Sequence, residues 1–213
     1  MSDSNVGSGL SVHRSEALTD GIYAVAMTLL VIELKLPEHG ADDLAHALVN
    51  LLPKVLAWVI SFFVLAIFWF GHHRAFSYVR RADGKLVALT VVQLAFVSLM
   101  PFSSALVGEH GRDLLSQIIY SLNMFALAVA GLLTWSHIHF HPETALMAIP
   151  APIYRGARIR LLGLMLISVV AVGISWVLPT AGNMAFMLMA VIMPLSRRAE
   201  RPLAPAEPPP APR

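Results

Sequence analysis

Long apolar runs separated by short polar segments constrain this chain more than any other feature. Six can be read: Leu18–Leu36, Leu51–Gly71, Leu86–Val107, Leu114–Trp135, Ile159–Leu178 and Ala181–Leu195. At about 1.5 Å per helical residue, the first five can each cross a hydrocarbon core of about 30 Å. The sixth is short, and needs a locally thin bilayer or an extra turn past Pro194. A soluble core would instead alternate polar and apolar faces. Only 13% of the residues are charged, against about a quarter in ordinary soluble domains, so the apolar excess belongs to the spans. The fold class expected is an all-α integral membrane protein with six transmembrane helices.

The basic residues orient those helices. Twelve fall on one side: Arg14, the Arg74–Lys85 group, the Arg155–Arg160 group, and four from Arg197 onward. Lys35, Lys54 and Arg112 fall on the other, beside Glu38, Asp42, Asp43, Glu109 and Asp113. The positive-inside rule places the twelve, and hence both termini, in the cytoplasm. An even number of spans fits that asymmetry and supports the weak sixth helix. The first 13 residues lack a basic start and no small-residue cleavage site follows, so the first run reads as a retained signal-anchor. Residues 1–13 are expected to be disordered, 14–196 to form the membrane domain, and 197–213 to be a basic, Pro-rich disordered tail.

Several chemistries are excluded. With no cysteine there is no disulfide, thiolate metal site or thiol nucleophile. No phosphate-cradling glycine loop, dinucleotide fingerprint or nucleophile elbow appears, so no cofactor is expected. The arginines at the membrane boundary suit anionic lipid and imply no nucleic acid. His137, His139 and His141 fall at the predicted end of the fourth helix. His137 and His141, one turn apart, suit a metal pair, but a cytoplasmic helix end is the plainer reading. Trp58, Trp69, Trp135 and Trp176 read as interfacial aromatics, Asn123 as an interhelical donor, and Pro101 as a kink.

The first helix carries an unusual set of polar groups. With Val25 at zero and about 100° per residue, Leu18, Gly21, Val25, Leu29, Ile32 and Leu36 share one face, with Thr28 on its margin. Asp20 falls almost opposite, with Ala24, Met27 and Val31. A carboxylate at this depth is costly unless paired or hydrated. Its candidate partners are Arg14 or the end of the second helix, with His72, His73 and Arg74; headgroup water is the alternative. The pairs Ala17/Gly21 and Ala24/Thr28, four residues apart, permit close helix approach, within one subunit or between copies.

Two stretches resemble one family. "RSEALTDGIYAVAMTLLVIELKLP" is similar to the first-helix signature of the transmembrane protein 175 potassium-channel family, Arg, three residues, then Phe-Ser-Asp; here it reads Arg14, then Leu18-Thr19-Asp20. "FWFGHHRAFSYVRRADGKLVALTVVQLAFVSLMPFSSAL" resembles that family's second and third helices, including a His-His-Arg step and the Pro101-Phe102 pair. The resemblance covers roughly residues 14–107. Leu18 and Thr19 replace Phe and Ser; Thr19 keeps a hydroxyl, and Leu18 loses a ring.

The resemblance implies a homotetrameric channel in a bacterial plasma membrane, permeable to potassium and related monovalent cations, with the first helix lining a central pore. It maps the narrowest ring to Val25, a hydroxyl ring to Thr28, and further apolar rings to Leu29 and Ile32. No carbonyl filter of the Thr-Val-Gly-Tyr-Gly type is present, so an aliphatic constriction would gate by dewetting and select weakly. Val25, smaller than the Ile or Leu often found there, implies a leakier constriction. Arg14, Thr19, Asp20, His72 and His73, followed by Arg74, would form a cytoplasmic clasp between the first two helices. Glu33 at the outer mouth would attract cations, against Lys35. Two other readings stay open: a proton-conducting leak or proton-coupled transporter using Asp20 and nearby histidines, and a membrane enzyme with Asp20, His72 and His73 as metal ligands or acid–base groups.

Overall fold

A computed structural model describes residues 12–35, 44–178 and 181–200 of the 213-residue chain. The proposed disordered ends, the outer acids Glu38, Asp42 and Asp43, and Leu36 lie almost wholly or entirely outside these segments. The described chain is all-helical: α1 (Val12–Ile32), α2 (Leu44–Phe76), α3 (Gly84–Glu109), α4 (Leu114–Phe140), α5 (Ala151–Val177) and α6 (Met189–Ala199). Short 3₁₀ stretches at Pro142–Thr144 and Gly182–Leu188 precede α5 and α6.

Five helices, α1 to α5, are long and apolar enough to cross a membrane. Most outrun their apolar cores. The 33 residues of α2 extend about 50 Å at 1.5 Å each, and His72, His73 and Arg74 remain helical near its end. Local chemistry sets the starts. Asp83 caps α3 by accepting from the Leu86 amide at 2.7 Å, and Asp113 caps α4 by accepting from Leu115 at 3.0 Å. Pro150 caps α5, with Pro152 in its first turn where a missing N–H costs little. Arg155, Arg158 and Arg160 therefore ride on helix rather than in a loop.

The sixth segment is not one α-helix over 181–195. Its first seven residues are 3₁₀ and the last eleven, through Pro194 to Ala199, are α. A 3₁₀ residue rises about 2.0 Å, so the composite spans about 30 Å. Its packing against α5 follows that length: Gly182 lies against Ser175, Ile192 against Gly163, and Glu200 over Gly156. The chain thus returns to the end at which α5 began.

The same end collects the α2–α3 and α4–α5 connections. Val79 and Ala145 form a β-bridge, and Leu146 N–H donates to the Tyr78 carbonyl at 2.7 Å. At the opposite end Lys54 pairs with Glu109 at 2.7 Å. Between the ends, Leu65, Leu86, Val97, Met100, Leu127 and Ala171 are wholly enclosed. The most enclosed helix is α4, half-hidden between α3 and α5. Polar side chains pair inside the bundle. Ser61 bonds Ser104 at 2.9 Å and Tyr120 at 3.0 Å, and Asn123 donates to Ser103 at 3.1 Å. Asn123 is thus an interhelical donor, as the sequence suggested.

Candidate functional site

One side of α1 is sealed against its own subunit and the other is bare. Thr19, Tyr23, Ala26 and Leu30 are at most 2% exposed, whereas Leu18, Val25 and Ile32 are more than half exposed and Leu29 nearly so. On the helical wheel at about 100° per residue, the four sealed residues centre near +130° from Val25. The diametrically opposite direction falls near −50°, between Gly21 and Thr28. Thr28 is therefore central to the bare arc rather than marginal to it.

Two features shape that arc. Ala17 and Gly21 leave a groove of about 370 Å³, walled by Leu18, Ile22, Val25 and Leu29. Further along, the Thr28 hydroxyl donates back to the carbonyls of Val25 (2.8 Å) and Ala24 (3.0 Å). With its proton so engaged, the Thr28 oxygen presents lone pairs outward.

The sealed side is fastened by polar contacts that the sequence located only in part. Thr19 donates to the Ser15 carbonyl at 2.8 Å, so its oxygen receives His72 Nε2 at 3.4 Å, a long contact. Tyr23 receives Gln93 of α3 at 3.1 Å. Asp20 accepts from the indole Nε1 of Trp69 at 2.8 Å. Its partner is thus an aromatic donor; Arg14 is exposed, and among the described residues no ion pair joins it to Asp20. His73 stacks on the Trp69 ring at 6.1 Å, and His72 stacks on Phe76 at 4.2 Å. The clasp therefore joins Thr19 and Asp20 to His72 and Trp69, with His73 behind. Trp69 had read as an interfacial aromatic. The signal that identifies it is its spacing: three residues before His72, it is a neighbour of His72 on one side of α2.

Arg74 leaves this group. It turns to Glu200 at 2.8 Å, and Arg160 of α5 reaches the other oxygen of the same carboxylate at 2.6 Å. Partial burial pushes the Glu200 carboxyl up, but the hydrogen bonds and charges of Arg160 and Arg74 outweigh it and hold it below the ordinary value. Asp83 behaves alike. Burial opposes ionisation, yet the Leu86 amide and His137 Nε2, at 3.0 Å, keep its carboxyl low. His137 stacks on His141 at 4.1 Å. Among the described residues no three His, Asp or Glu side chains converge as a metal site.

Comparison with known proteins gives this arrangement a context. Residues 14–101 match the family model described as endosomal/lysosomal potassium channel TMEM175. A potassium channel of Streptomyces collinus is 38% identical over 152 residues, covering 69% of this chain and 74% of that protein. The chain belongs to the TMEM175 family. A crystal structure of a lysosomal potassium-selective channel TMEM175 homolog from Chamaesiphon minutus superposes with a TM-score of 0.72 at 27% identity, over 87% of this chain and 97% of that one. The human endosomal/lysosomal proton channel TMEM175 is 30% identical across 95% of this chain, which spans 46% of the human protein. The matched segment contains the bare arc of α1 and the clasp that fastens its other side. In TMEM175 terms, the substituted signature position Leu18 lies on the arc, while Thr19 and Asp20 serve the clasp.

Proposed function

We propose that this chain is a potassium-permeable channel of a bacterial plasma membrane, assembled as a homotetramer around four copies of α1, with both termini in the cytoplasm. The observation that carries the reading is the division of α1: one face locked to α2 and α3, the other bare, apolar and centred on Gly21 and Thr28. The relatives named as potassium channels support the permeant ion. The groove at Ala17 and Gly21 supports assembly, because small residues let a second copy's helix approach closely.

The mechanism follows from the order of side chains along the arc. Leu18 and Gly21 line the cytoplasmic entrance. Val25 forms the narrowest ring, and its aliphatic walls disfavour a continuous water column, so the ring gates by dewetting. Passage requires an ion to shed part of its hydration, which potassium does more readily than sodium. Just beyond, the Thr28 oxygens offer lone pairs that replace part of the lost water. Leu29 and Ile32 extend the apolar throat toward Glu33, which raises cation concentration at the mouth. The Thr19–His72 and Asp20–Trp69 contacts fix the angle at which α1 presents these rings.

Purified protein in potassium-loaded vesicles diluted into sodium tests this. Potassium-dependent flux in wild type, abolished by Val25→Trp with the oligomer intact, is the expected result. Flux undiminished by Val25→Trp would remove the pore from α1. Proton uptake that persists without potassium and ignores Val25 would favour a proton pathway through Asp20 instead.

A further inference from the structure

We propose that the crevice between α2, α5 and α6 at the arginine-rich end is a binding site for an anionic phospholipid, with Glu200 as its internal competitor. The crevice encloses about 530 Å³. It is lined by apolar Ile67, Phe70 and Met193, by Ser77 and Ser196, and by three guanidinium groups, those of Arg74, Arg160 and Arg197. This is the two-part chemistry a phospholipid requires: hydrocarbon for the upper acyl chain and cationic hydrogen-bond donors for the phosphate.

The charge does not balance internally. Glu200 answers Arg74 at 2.8 Å and Arg160 at 2.6 Å with a single carboxylate, which leaves a surplus of two positive charges against three arginines. Arg197 is exposed, one helical turn before the carboxylate. Basic pockets between helices at a membrane boundary are a recurrent setting for anionic headgroups. Guanidinium groups match phosphate oxygens in pairs as they match a carboxylate, so a headgroup phosphate and Glu200 compete for the same donors. A neutral lipid gains nothing from that surplus. Phe70 is 65% exposed, so the crevice is open on its side.

Titration of the detergent-purified full chain with phosphatidylglycerol and with phosphatidylcholine of the same acyl chains, read by native mass spectrometry, tests the site. Phosphatidylglycerol is expected to bind preferentially. Arg197→Gln is expected to weaken it about fivefold, the effect of one arginine near a lipid surface. Glu200→Gln is expected to tighten it by a similar factor, since the competing carboxylate is gone. Arg112→Gln, at the opposite end, is expected to leave it unchanged. Equal binding of the two lipids, or equal behaviour of Arg197→Gln and Arg112→Gln, overturns the proposal. Displacement of the lipid by millimolar inorganic phosphate, with no dependence on acyl chains, overturns the lipid assignment in favour of a free anion. Arg197 has no ion pair among the described residues, so its substitution tests the site even if Glu200→Gln loosens α6.

Discussion

Trp69 donates its indole N–H to Asp20 across 2.8 Å, so an aromatic donor on α2 holds the acidic residue of the α1 signature. A neutral donor satisfies the carboxylate without drawing a long cationic side chain across the helix pair. A hydrogen bond to a charged group contributes about 1.5–3 kcal/mol when enclosed. Asp20 is exposed, which places this one at or below the lower end.

Trp69→Phe keeps a ring on α2 and removes only the donor. The expected outcome is a loss of about 1 kcal/mol, read as a lowered unfolding temperature in detergent, with reduced flux because α1 is held at one contact fewer. Asp20→Asn retains an acceptor oxygen and is expected to cost less than Trp69→Phe. Wild-type melting and flux in both variants would mean that the pair is incidental and that Thr19, Tyr23 and their partners alone orient α1.

Thr28 lies on the bare arc, so its substitution disturbs no packing within the subunit. Thr28→Val keeps the shape and removes the oxygen. If the hydroxyl ring offsets part of the dehydration cost, the preference for potassium over sodium is expected to fall by up to about fivefold, corresponding to about 1 kcal/mol. Thr28→Ser is expected to preserve it. Bi-ionic reversal potentials measure the ratio directly, and an unchanged ratio in Thr28→Val would assign selectivity to the aliphatic rings alone.

Much of this was legible in the residues. The apolar runs located all five long helices, because length and hydropathy are local properties. The wheel placed Leu18, Val25, Leu29 and Ile32 together correctly, since a regular helix fixes their angles. It placed Thr28 at the margin of the apolar stripe, and burial adds that the exposed arc, set by the packing of the far side on α2 and α3, is wider than that stripe and includes Thr28. Arg74, beside His72 and His73 in the sequence, is one of several candidate partners the residues offer for Asp20. Its actual partner, Glu200, is 126 residues away and follows a segment whose 3₁₀ start has no simple periodicity. Long-range pairings of this kind depend on tertiary geometry, and charge complementarity alone does not choose among several carboxylates.

Asp83 joins two elements: it caps α3 through Leu86 and meets His137 at the end of α4. Its carboxyl titrates below the ordinary aspartate value of about 3.9, so its contribution is complete above that value and disappears as pH falls through the lower folded one. Asp83→Ala is therefore expected to cost about 1 kcal/mol at pH 7, the usual worth of such a cap. The gap from wild type should close as the solution is acidified below about pH 4. Thermal melts of the two proteins at pH 7 and at the lowest pH they tolerate give the comparison. A gap that widened with acid would mean that the neutral carboxyl, not the carboxylate, is the stabilising form.

The composite sixth segment decides on which side of the membrane Arg197 and Arg198 lie. Glu200 meets Arg160 near the start of α5, and Gly182 meets Ser175 near its finish, so the segment runs the length of α5 in the opposite direction. Arg198 should then lie on the same side as Arg81, with Arg112 on the other. The chain has no cysteine, so single substitutions report on side without further engineering. In oriented vesicles or intact cells, a membrane-impermeant maleimide is expected to label Arg112→Cys from outside, and to label Arg81→Cys and Arg198→Cys only after the membrane is permeabilised. Labelling of Arg198→Cys together with Arg112→Cys would mean that the 3₁₀ and α pieces do not cross in the bilayer, and that five spans, not six, set the topology. The Glu200 contacts with Arg74 and Arg160 would then be impossible in the membrane, which makes this measurement a test of the whole arginine-rich end as well as of the last crossing.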